Sequence, residues 1–181
     1  SRIARVDRLI SELQEITMPI ETRRMTVPAF TALALRDMIP AYQDEGVLWQ
    51  RLMAELGTTG ATVPAAALCG ATFHDDDFRE HDVDVEVWLQ VADGTSTPAD
   101  ADAAAGTVRF VRMPAQEVVS ATLHGPYDGV SAVSQALGTW VAENGAVIAG
   151  PMLNIYVVGP AQSQDPADWV TEVCVPITLQ D

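Results

Sequence analysis

Two stretches decide the fold: Val27–Leu56 (VPAFTALALRDMIPAYQDEGVLWQRLMAEL) and Met113–Glu143 (MPAQEVVSATLHGPYDGVSAVSQALGTWVAE). Each opens on an apolar residue followed by Pro-Ala. An apolar strand follows, Phe30 to Leu35 in the first and Val118 to Leu123 in the second. A proline turn ending in tyrosine comes next, Pro40-Ala41-Tyr42 and Gly125-Pro126-Tyr127. Each stretch then continues as a helix, from about Asp44 to Leu56 and from Val130 to Glu143. The helices are read from apolar stripes at three- and four-residue spacing: Leu48, Leu52 and Leu56, and Val130, Val133, Leu137 and Val141.

Working outward, a short strand precedes each stretch (Glu21 to Met25; Thr107 to Arg112) and two strands follow it. The later strands are Ala66 to Phe73 and Asp82 to Val91, then Met152 to Val158 and Trp169 to Thr178. Pro28 and Pro114 lie 86 apart, Tyr42 and Tyr127 85 apart, and Glu86 and Glu172 86 apart. Pro64 and Pro151 each precede a strand. A near-constant offset across the same order of elements indicates a duplication. The expected fold class is α+β: a duplicated strand-strand-helix-strand-strand unit. Its antiparallel sheet carries two helices on one face and a ligand groove on the other. The halves span about 19–92 and 107–179. They are joined by 93–106, which is rich in Ala, Asp, Thr and Gly and reads as a flexible connector.

The chain has 181 residues, 48 % of them hydrophobic, which is enough for a sizeable core. No apolar run is long enough to span a bilayer and no secretory signal is evident, so a cytoplasmic protein without membrane contact is expected. Net charge is −15, and five of the ten basic residues, all arginines, fall within the first 24 positions. A body this acidic repels phosphate, which argues against direct nucleic-acid binding by it. Cys69 and Cys174 read as reduced, buried thiols. Residues 2–16 read as a helix with one seam, Ile3, Val6, Ile10 and Leu13. It either packs on its own domain or ends a longer coiled coil, and residues 1–18 are set apart on that account.

Strands alternate faces, which sorts the candidate site residues. Val173, Val175 and Ile177 suit the helix-covered core, as do Val85, Val87 and Leu89. Leu153, Ile155 and Val157 are grouped with them. The uncovered face is then expected to hold Glu86, Trp88, Asn154, Tyr156 and Glu172. Carboxylates among large aromatics suit a flat or cationic organic molecule. Tyr127, in its turn, and Trp49 and Trp140, in the helices, are further candidates, though each also reads as a packing residue. The His74–Asp82 stretch, with two histidines and several carboxylates, reads as a solvated acidic loop or, alternatively, as a metal site. No nucleophile–base constellation, phosphate-binding glycine loop or HExxH motif is present.

Three motifs in this order carry a resemblance: Leu123-His124-Gly125-Pro126-Tyr127, Pro151-Met152-Leu153-Asn154-Ile155-Tyr156, and Thr171-Glu172-Val173-Cys174-Val175-Pro176-Ile177. The chain resembles the GyrI-like small-molecule-binding domain, which also serves as the effector-binding domain of MerR-type and AraC-type regulators; residues 2–16 resemble the end of the dimerisation helix that leads into the C-terminal effector domain of MerR-family regulators, and the AraC-type arrangement fits this arginine-bearing heptad less well. The resemblance implies that Glu172 is the ligand-contacting glutamate. It implies a small-molecule effector, a homodimer formed through the leading helix in a full-length protein, and DNA contact only through a separate N-terminal domain. It implies no cofactor. Two other functions follow from the same family: hydrolysis of reactive small molecules using Glu172, and protein binding as in the family's gyrase inhibitor.

Overall fold

A computed structural model describes residues 20–94 and 106–179. The expected leading helix and most of the connector between the halves lie outside the described residues. The strands are β1 (Thr22–Val27), β2 (Phe30–Ile39), β3 (Cys69–Phe73), β4 (Val83–Gln90), β5 (Arg109–Met113), β6 (Gln116–His124), β7 (Ala146–Ile148), β8 (Leu153–Val158) and β9 (Val170–Leu179). The helices are α1 (Glu45–Leu56) and α2 (Val130–Glu143), each entered through a short 3-10 turn starting at Tyr42 or Tyr127. Among the described residues the strands form one antiparallel sheet in the order β1-β6-β9-β8-β3-β4-β2-β5, with β7 added to the end of β9. The short β7 is an addition to the expected elements; it follows α2 after Gly145, which turns the chain at φ 61°.

The duplication is written into the strand register. Ala32 pairs with Gln90 and Val118 with Pro176, an offset of 86 on both strands. Gly70 pairs with Trp88 and Leu153 with Cys174, so the third strand of each half is offset by 83 instead. At the centre Ala71 pairs with Asn154, flanked by Gly70–Ile155 and Thr72–Leu153. A pseudo-twofold axis therefore passes through the Ala71–Asn154 pair.

Two short links shape the sheet. Pro28-Ala29 joins β1 to β2, and Pro114-Ala115 joins β5 to β6, yet the strands of each pair lie six positions apart in the sheet order. Six strand spacings span about 29 Å in a flat sheet, whereas three Cα–Cα steps reach roughly 11 Å. The sheet must curl, and it curls around the face without helices. One buried cluster on that face accordingly draws on both halves: Val27, Phe30, Ala32 and Ala34 with Trp88, Val118, Leu153, Ile155 and Cys174. Trp88 is fully buried, with its ring 5.3 Å from Phe30 and its indole N–H donating to Thr72 Oγ1 at 3.1 Å.

The outer face is covered in two wings. Helix α1 lies over β2 and β4, burying Leu48 and Leu52 against Leu33, Leu35, Val83, Val85 and Val87. Helix α2 lies over β6 and β9, burying Val133 and Leu137 against Val119, Ala121, Val173 and Val175. Because both faces are covered, β2 is buried continuously from Phe30 to Leu35. This removes the polar–apolar alternation that would identify a face. The expected assignment of β8 is reversed for this reason. Leu153 and Ile155 point into the curl with Trp88, and Asn154 and Tyr156 point to the helix side.

Gly70 is required by the close approach of the Trp88 ring and the Asn154 carbonyl oxygen, on which an added Cβ would land. Gly70→Ala is expected to destabilise the protein by about 3 kcal/mol, measured as a shift of the denaturant midpoint at unchanged slope.

Candidate functional site

The two helical wings leave a seam over the central strands β3 and β8. Glu45 opens α1 at one edge of this seam, where the helix dipole favours a carboxylate. Its oxygens accept from the Tyr156 hydroxyl at 2.7 and 2.9 Å and from the Trp49 indole N–H at 2.9 Å. Burial pushes the Glu45 carboxyl above the usual carboxylate range, and these hydrogen bonds only partly offset that. Burial likewise raises Tyr156 well above an ordinary phenol, and Tyr127 to about 12, with the Glu45 charge adding to both. Both phenols are therefore neutral hydroxyls at physiological pH.

Aromatic rings wall the carboxylate. Trp49 meets Tyr156 edge-on at 6.4 Å, and Tyr127 meets Tyr156 edge-on at 5.8 Å. Trp169 stacks on Tyr127 at 5.0 Å. The Gly125 N–H, at φ 100°, donates to the Trp169 carbonyl at 2.8 Å and ties the two turns together. Glu45, Trp49, Tyr127, Tyr156 and Trp169 are all half-buried. The opposite end repeats the rings: Tyr42 meets Phe73 edge-on at 5.8 Å and Phe78 at 5.4 Å. Val130 and Ser134 of α2 stand where α1 has Glu45 and Trp49, so α2 places no carboxylate at its start. The site is one-sided in charge although the scaffold is twofold.

The expected site residues thus fall into separate places. Tyr156, Tyr127 and Trp49 come together, with Asn154 beside Tyr156 at the seam floor. Glu86, Trp88 and Glu172 lie on the inside of the curl. Trp140 packs against the α2 core with Val141 and Ala146. Glu172 accepts from Ser120 Oγ and Thr122 Oγ1, both at 2.6 Å, and lies 3.5 Å from the Arg23 guanidinium. Ile155 and Gly70 stand between it and Trp88 in one cross-strand row. Glu45 and Trp169 escaped the sequence reading. The spacing of Glu45 and Trp49, one helical turn apart, carried the signal, as did a charge at the position where the second helix has Val130.

The pair on the inner face repeats in crossed form. Arg23 of the first half meets Glu172 of the second, and Arg109 of the second meets Glu86 of the first at 3.2 Å. Glu86 also contacts His74 Nε2 at 3.0 Å. Burial alone would raise the Glu86 carboxyl, but the His74 hydrogen bond and the nearby His74, Arg109 and Arg36 charges bring it below the usual range. Glu86, His74 and Thr72 line a groove of about 650 Å³ at one end of the helix-free face, with Leu153, Pro176 and Met113. Trp88, Leu153 and Ile155 fill the centre of that face, and a second, smaller cavity of about 270 Å³ is lined by Glu21, Thr22, Arg23, Ser120 and Thr122, beside Glu172. Among the described residues no three or more His, Cys, Asp or Glu side chains are gathered as metal ligands. Within the expected acidic loop, Asp75 instead accepts from the Asp84 backbone N–H at 2.8 Å and lies 3.6 Å from Arg79. Both cysteines are free thiols; burial pushes Cys174 up to about 11 and also raises Cys69.

With this fold, residues 21–178 match the family described as the GyrI-like small molecule binding domain, and the chain belongs to that family. It is similar to the C-terminal domain of EcmrR, a MerR-family regulator, at 25 % identity and a TM-score of 0.79, covering 90 % of this chain and 100 % of that one. It also superimposes on EcmrR in its complex with DNA (24 % identity, TM-score 0.80), covering 99 % of this chain and 65 % of the other. The chain thus spans about two thirds of that EcmrR chain. A further structure, SAV2435 bound to tetraphenylphosphonium, shares the fold at 14 % identity and a TM-score of 0.56, covering 88 % of this chain and 94 % of that one. No curated protein matches the chain in sequence. No described helix is long and apolar enough to cross a membrane.

The crossed pairs differ in burial, and that sets their worth. The Arg109 side chain is 10 % exposed and that of Arg23 is 64 % exposed. Arg109→Leu removes the guanidinium bonded to the buried Glu86, leaving His74 as its bonded partner, and is expected to cost about 3 kcal/mol. Arg23→Leu is expected to cost under about 1 kcal/mol. Urea unfolding of both variants checks the contrast.

Proposed function

We propose that this chain is the effector-sensing domain of a transcription regulator, and that its effector is an aromatic or lipophilic cation seated at the seam against Glu45. The observation that carries this reading is a half-buried carboxylate whose hydrogen-bond partners, Tyr156 and Trp49, are both neutral. A carboxylate with no cationic side chain bonded to it is electrostatically incomplete, and a bound cation completes it. The rings of Trp49, Tyr127, Tyr156 and Trp169 supply apolar area and cation–π attraction. The likeness to the EcmrR C-terminal domain supports a sensing role, and the tetraphenylphosphonium in SAV2435 supports the ligand class.

In this reading Glu86, Trp88, Glu172 and Trp140 serve the scaffold, while Tyr156, Tyr127, Trp49 and Asn154 face the effector. The domain binds without turning its ligand over. In the whole protein it acts with a DNA-binding part and a dimerising helix. The effector relays a signal only as far as it binds one arrangement of the two wings better than another. A hundred-fold preference corresponds to about 2.7 kcal/mol.

Titration with tetraphenylphosphonium by calorimetry tests the site. Glu45→Gln is expected to weaken binding roughly ten-fold or more, as for loss of a charged contact, and Glu172→Gln to leave it unchanged. The reverse pattern would move the site to the inner face. Loss of the ligand's mass signal on incubation with a small amount of protein would replace sensing by turnover.

The pH dependence has a definite sign. A cation binds the charged form of Glu45, so affinity is present above the carboxyl's pKa and lost below it. Because that pKa is raised above 4.5, affinity begins to fall at a higher pH than an ordinary glutamate would give. Glu45→Gln is expected to abolish this dependence in the same titration repeated across pH.

A further inference from the structure

Asn154 occupies the pseudo-twofold position on the helix side of β8, one step along that face from Tyr156. Its neighbour across β3 is Ala71, part of the α1 core, and its neighbour across β9 is Val173, part of the α2 core. The amide thus sits at the floor of the seam, between the two packed wings. It is 7 % exposed, and its Oδ1 is buried with no hydrogen-bond partner. Asn154 shares the helix side of β8 with Tyr156, whose phenol donates to Glu45. The unpartnered atom is the carbonyl oxygen, an acceptor only. An amide in the fold's interior without a partner is a cost that the scaffold does not require, since the other half has Ala71 at the same place. Thr171, beside Tyr156 on β9, also has an unpartnered buried Oγ1, but it is fully closed off.

We propose that the seam selects cations bearing an N–H donor, protonated amines in preference to quaternary ammonium or phosphonium ions, through acceptance of that N–H by Asn154 Oδ1. This rests on the reading of the seam as the effector site. Glu45 supplies attraction for any cation. Asn154 supplies a directional contact that only a cation with a polar hydrogen can satisfy, and a quaternary ion leaves the oxygen buried and unpaired. Discrimination of this kind is strong because a site built to hydrogen-bond a ligand group is penalised when that group is missing.

The test uses a matched pair at pH 7, naphthylmethyl-dimethylammonium and naphthylmethyl-trimethylammonium, which differ in one N–H against one N–CH3. The protein is expected to bind the N–H cation roughly ten-fold more tightly, as for one hydrogen bond to a charged group. Asn154→Leu is expected to erase the preference by weakening the N–H cation alone, and Asn154→Ala to do the same. Both variants should unfold at or above the temperature of the parent protein, because an apolar side chain replaces an unsatisfied one. Equal affinities in the unsubstituted protein overturn the proposal, as does a preference that survives both substitutions. If neither cation binds, the effector site itself is misplaced and this inference goes with it. Binding of both without preference overturns only the role of Asn154.

Discussion

Two links of two residues, Pro28-Ala29 and Pro114-Ala115, join strands that sit six places apart in the sheet, and a chain that short cannot cross a flat sheet of that width. The rest of the architecture follows from the curl they impose. The concave side closes on itself and is filled by Trp88, Leu153, Ile155 and their neighbours. The helices then have only the convex side to cover, and each takes one wing. The central strands stay between the wings, and their outward side chains become the floor of a seam. Curling the sheet the other way would have hidden Tyr156 and exposed Trp88.

The same unit used twice does not give the same chemistry twice. The twofold scaffold supplies two clusters of rings, Tyr42 with Phe73 and Phe78, and Tyr127 with Tyr156 and Trp169. Three substitutions within the repeat make the seam directional: Glu45 against Val130, Trp49 against Ser134, and Asn154 against Ala71. One end carries the Glu45 carboxylate and the centre carries an unsatisfied oxygen, while the other helix start carries an apolar Val130. The crossed arginine–glutamate pairs show the same divergence, one buried and stapled by His74, the other with its arginine open to solvent. A ligand held between two separately packed wings is well placed to bias their relative arrangement, since neither wing's core includes the other's helix.

Much of this was legible in the chain itself. The duplication, the element order, both helices and their buried stripes follow from the repeat and from apolar spacing. Glu86, Trp88 and Glu172 lie on the helix-free face, as the alternation of their strands leads one to expect, and Glu172 is held there by Ser120, Thr122 and Arg23. Nothing local marks Glu45, because a single acidic residue at a helix start reads as an ordinary dipole-compensating residue.

By itself the sequence determined the repeat, the fold class and the order of the helices and of every strand but β7, because these depend on local spacing and turn chemistry. Only the tertiary structure decided which way β8 faces. A strand buried on both sides carries no alternation from which a face can be read, and Leu153-Asn154-Ile155-Tyr156 fits either orientation. The curl broke that tie, turning Leu153 and Ile155 inward and bringing Tyr156 across the seam to a glutamate 111 residues away in the chain. That meeting depends on contacts between the two halves, which no local pattern encodes.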